Sequence, residues 1–158
     1  YEKLESPYKA KNAPFDTMQE VRLVEGWHRD DVWNKFGQYI TVYGDGKINV
    51  NTADCEVMWA LLKTHVTPVP NDQLLLNYMK ALDEYKALMD FTSADQFVTT
   101  LTQAGATPKP ELKAAITTKT WLYRIKSTGE VGNARATIES VVDFSTRTEG
   151  QILYWRLQ

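Results

Sequence analysis

Near Lys119 the apolar residues change their repeat, and no other feature restricts the fold as much. Before that point they recur every three or four residues, as on a helix with one buried face. After it they alternate, as on a strand. Such a chain is α+β with its helices and strands segregated. The expected organisation is an extended arm over residues 1–11, a mainly helical domain over 12–117 and a three-stranded antiparallel meander over 118–158.

The helical part begins with "FDTMQEVRLVEG", where Asp16 or Thr17 can cap, Thr17 to Glu20 fits a capping box and Gly26 stops the helix. "HRDDVWNKFGQY" predicts a second short helix with Val32, Trp33 and Phe36 at core spacing, and "YITVY" a brief β-like segment. Asn51 or Thr52 is expected to cap a helix through Val57, Met58, Leu61 and Leu62, which Pro68 and Pro70 end. "NDQLLLNYMKALDEYKALM" is the clearest helix, capped at Asn71 or Asp72, with Leu75, Met79, Leu82 and Leu88 on or near one stripe. "SADQFVTTLTQAG" follows, with Ser93 capping, Gln96 completing a box and Gly105 closing; "PKPELKAAI" adds one short turn.

"TWLYRIKS", "NARATIESVVDFS" and "QILYWRLQ" are rich in β-branched and aromatic residues, and "TGEVGN" and "TRTEG" read as hairpin turns. Trp121, Tyr123 and Ile125 fall on one face, Leu122 and Arg124 on the other. Three strands make a thin sheet, so an apolar face needs cover from the helical block or from sequence outside this chain.

The chemistry the chain can carry is restricted. Its net charge of −2 lacks the basic excess on which duplex binding depends. One cysteine, Cys55, excludes an internal disulfide and any multi-cysteine zinc site; it falls in a helical pattern and is expected to be buried. His28 and His65 have no second imidazole at ligand spacing, and neither a nucleophile elbow nor a glycine-rich phosphate loop occurs, so no enzyme is expected. No run of about 18 apolar residues exists to span a membrane.

"YGDGKINVNTADCEVMWALL", Tyr43 to Leu62, holds glycines, Asp45, Asn49 and Asn51 in one window. Its glycines flank the aspartate, which is not the calcium-loop order, so the expected role is a turn followed by a helix cap. "LVEGWHRDDVW" and "INVNTADCEVMWAL" resemble helix-hairpin-helix turns, but His28 stands where a second glycine would let a phosphate approach, and Asp30 and Asp31 repel it. Among the five tryptophans and eight tyrosines, Trp33, Trp59 and Trp121 are expected in the core. Trp155, with Tyr154 on the opposite face of the last strand, is the candidate for protein interaction.

"SPYKAKNAPFDTMQEVRLVEGW", "ITVYGDGKINVNTADCEVMWAL" and "WLYRIKSTGEVGNARATIESVVDFS" with "ILYWR" together resemble, in order and over almost the whole chain, the minor pseudopilin K family of bacterial type II secretion. The resemblance implies a SAM-like, helix-hairpin-helix-like helical domain inserted into a pilin-like α/β domain. It implies a periplasmic protein anchored in the inner membrane by an N-terminal helix that this sequence lacks. It also implies assembly with minor pseudopilins I and J at the pseudopilus tip to support protein export across the outer membrane. Calcium binding in the pilin part belongs to the family, but no ligands match here; no other cofactor is implied. The competing expectation is a helix-hairpin-helix nucleic-acid binder of the DNA-uptake type.

Overall fold

The structure, a computed structural model, describes residues 7–146 and 148–157. The first six residues of the expected arm lie outside the described residues; 7–13 follow as irregular chain. The chain forms two compact units, one ending at Tyr43 and one beginning at Gly44.

The first unit holds α1 (Met18–Val21), α2 (Asp30–Phe36) and a 3-10 turn (Gly37–Tyr39). The helix expected in "FDTMQEVRLVEG" is only four residues long. Thr17 occupies its N-cap position without a side-chain bond, and the Glu20 carboxylate accepts from the Asp16 amide at 3.2 Å instead. Glu20 and Asp16 also hold Lys11, at 3.0 and 2.7 Å, and both raise its pKa. Val32, Trp33 and Phe36 do not form a core: α2 has no buried residue. Trp33 lies under the Arg22 guanidinium, 5.6 Å from the ring centroid, and against Gly37. "YITVY" is not a strand either: Tyr39 ends the 3-10 turn and residues 40–43 are irregular chain.

In the second unit β1 (Ile48–Asn49) precedes α3 (Cys55–His65), α4 (Asp72–Leu88), α5 (Ala94–Gln103), α6 (Leu112–Ala115) and β2 (Ile116–Thr117). The alternation from 3.6 to two residues then appears as β3 (Leu122–Val131), β4 (Ala134–Asp143) and β5 (Gln151–Leu157), an antiparallel sheet in the order β3-β4-β5. The fold is mixed helix and sheet; apart from the two-residue β1, the strands follow the helices along the chain.

The predicted side-chain caps of α4 and α5 form. Asn71 accepts from the Leu74 amide at 2.9 Å and Ser93 from the Gln96 amide at 3.3 Å. Gln96 reaches back one residue further than the box predicts, to the Thr92 amide at 2.8 Å. Helix faces then decide the core. Val50, Leu62, Leu75, Phe97, Leu101 and Leu112 are fully buried, and Phe91 stacks on Tyr85 at 4.4 Å and meets Phe97 edge-on at 5.3 Å. Leu88 is exposed because it ends α4, and Cys55 is exposed because it begins α3, a turn ahead of the buried Met58.

Asn51 does not cap α3; Asp54 holds that position, without a side-chain bond. β1 and β2 pair in parallel, Ile48 opposite Ile116 and Asn49 opposite Thr117, and the Val50 amide continues the ladder to Thr117 at 3.0 Å. Asn51 extends it with its side chain, donating from Nδ2 to the Thr118 carbonyl at 3.1 Å. The same amide donates to the Phe91 carbonyl and accepts from the Phe91 N–H, both at 2.9 Å. One carboxamide thus imitates a strand residue for two separate segments.

Replacing Asn51 by Ala is expected to cost about 2–3 kcal/mol, since three bonds go and half-buried backbone groups lose their partners. Asn51→Asp should cost at least as much, because its second oxygen faces two carbonyls. Urea unfolding checks both; a loss below about 0.5 kcal/mol for either would contradict this role.

Candidate interaction surface

The three-stranded sheet is amphipathic, and its register assigns the faces. Directly opposed residues share a face. Tyr123 opposes Val142, which opposes Ile152; Ile125 opposes Ser140, which opposes Trp155; Ile138 opposes Leu157. These form one apolar face. The other carries Arg124, Val141 and Tyr154 in one row and Lys126, Glu139 and Arg156 in the next.

The polar face satisfies itself. Glu139 accepts from Arg156 at 2.8 and 3.1 Å and lies 3.8 Å from Arg124, and it holds the Arg156 guanidinium above its ordinary pKa. Thr128 and Thr137 join hydroxyls at 3.0 Å across the strands. Tyr154 is half-buried here beside the buried Val141.

Among the described residues most of the apolar face has no such cover. Ile152, Trp155 and Leu157 are 63%, 63% and 64% exposed, and Tyr123, Ile125 and Ile138 are 47%, 45% and 46% exposed. The helical core is closed without it: its buried members run from Val50 to Ile116 and include no residue of this sheet. Apolar groups contiguous on one face and left in water mark an interaction surface. Trp121, expected in the core, is exposed as well, because it lies just ahead of β3 on the alternation of Tyr123 and Ile125. Trp59 reaches only the rim of the helical core, with Lys63 over its ring at 5.8 Å.

The strand edges differ. Outer strand β3 carries Arg124, Lys126 and Glu130, charges that discourage further pairing, whereas β5 carries Arg156 alone. At the β4–β5 end the face is closely packed. The Tyr123 ring meets Phe144 edge-on at 5.7 Å, and the Phe144 amide donates to the Trp121 carbonyl at 2.8 Å. Gly150 sits against them with φ +73°; a Cβ there would lie 2.6 Å from Val142 Cγ1 and 2.8 Å from Phe144 Cε1. The Asp143 carboxylate accepts from the Ser145 amide at 2.7 Å, which lowers its pKa and starts the turn.

Trp155 and Tyr154 thus lie as their alternation predicts, one exposed and one half-buried on opposite faces. Ile138, Ile152 and Leu157 were not singled out from the sequence. Ile138 and Leu157 are legible once the hairpin register is fixed, whereas Ile152 is out of phase with Trp155 and Leu157 in the sequence and joins the face only through the register shift at Val141/Val142, where Leu153 is skipped.

The other candidate chemistries have local structural uses. Asp45 accepts from the Lys47 amide and Asn49 from the Asn51 amide, at 3.1 and 3.0 Å, so the polar groups of the glycine window hold backbone. Asp30 pairs with Arg22, and Asp31 with Arg29 at 2.7 Å. His65 Nδ1 lies 3.1 Å from the Leu61 carbonyl. Among the described residues no three His, Cys, Asp or Glu side chains gather where a metal could bind, and no helix is long and apolar enough to cross a membrane. Comparison with family models, curated proteins and solved structures finds no match to this chain.

Two outcomes follow from this geometry. Changing Ile152, Trp155 and Leu157 together to Thr should alter unfolding free energy by less than about 0.5 kcal/mol per site, yet sharply reduce binding of an apolar dye such as anilinonaphthalene sulfonate. A large stability loss would mean that the three are packed in solution. Gly150→Ala should instead cost about 2–4 kcal/mol in a denaturant titration, through its positive φ and the crowding of Val142 and Phe144.

Proposed function

We propose that this chain is the periplasmic part of a minor pseudopilin K and acts as a structural, non-catalytic component of the type II secretion pseudopilus tip. In this reading the helical region is the SAM-like inserted domain and the β3-β4-β5 sheet belongs to a pilin-like domain. The family's apolar N-terminal helix lies on the sheet's exposed face and anchors the whole protein in the inner membrane. Minor pseudopilins I and J assemble beside it.

One observation carries the proposal: the sheet exposes Tyr123, Ile125, Ile138, Ile152, Trp155 and Leu157 on one face while the helical core is closed without them. A three-stranded sheet reaches independent stability by packing an apolar face on a helix or another sheet. The sequence resemblance supplies a helix of the required character. The helix-hairpin-helix-like segments are consistent with scaffold use, since Asn49 and Asn51 both bond to backbone.

The test is co-purification of soluble pseudopilins I and J with a longer periplasmic form that includes the helix, and with the chain described above. The longer form should yield a ternary complex and the shorter one little or none. Failure of the longer form to bind would count against the assignment. Equal binding by both would show that the helix-covered face is not the main docking surface.

A further inference from the structure

We draw no further inference here: the strongest candidate, the outer edge of strand β5 together with the apolar residues it carries, belongs to the surface already described, and nothing in the structure shows which chain covers it.

Discussion

The side-chain amide of Asn51 joins segments that are 40 and 67 residues away along the chain. Its two bonds to Phe91 set the backbone of the residue that fills the centre of the helical core, between Tyr85 and Phe97. Its third bond holds Thr118, directly after β2 and four residues before β3 begins. The short parallel pair of β1 and β2 has only two residues in each strand, too few for much stability alone. Asn51 lengthens that pair by one carbonyl and ties it to the α4–α5 connection. The order of contacts in the second unit therefore rests on a planar group presenting donor and acceptor in fixed geometry, which neither Asp nor Leu reproduces.

The positions where sequence reading succeeded share a physical cause. Asn71 and Ser93 cap because their bonds close within three residues, so the outcome is decided locally. The switch to alternation near Lys119 survives because sheet faces enforce a period of two. Asn51 looked like another cap for the same local reason, yet its partners are remote, and no short window encodes them. The β1–β2 pair escaped notice for that reason too: parallel pairing across four helices leaves no turn signal. In the first unit the spacing of Val32, Trp33 and Phe36 was sound as helix periodicity, but α2 has no buried residue. Periodicity gives the face of a helix, whereas burial needs something to face.

Exposure of Trp121 is the same lesson on the sheet. Trp121 was expected inside, and the alternation that leads into β3 instead puts it on the exposed side. The buried residues of this sheet, Thr137, Val141 and Val142, all lie on β4, its middle strand. Burial in the sheet thus comes from position on the middle strand and, for Val142, from the corner where Phe144 and Gly150 pack. The closed helical core and the open sheet are thus stabilised differently, the first by apolar contacts between helices and the second by its ladder, its ion pairs and one packed corner.

The sheet's register is fixed at both connections. A two-residue turn, Gly132 and Asn133, joins β3 to β4, and the irregularity at Val141/Val142 with Gly150 fixes how β5 returns. A slip of one residue would exchange the faces, putting Arg124 and Glu139 where Ile125 and Ser140 now stand. With both connections pinned, the sheet has no such escape from its wet apolar side. Any molecule that bound this face would meet a surface already shaped, and its binding would not also have to order these strands. The same fixed register holds the exposed apolar side chains together as one contiguous patch, a shape that favours adhesion to other apolar surfaces.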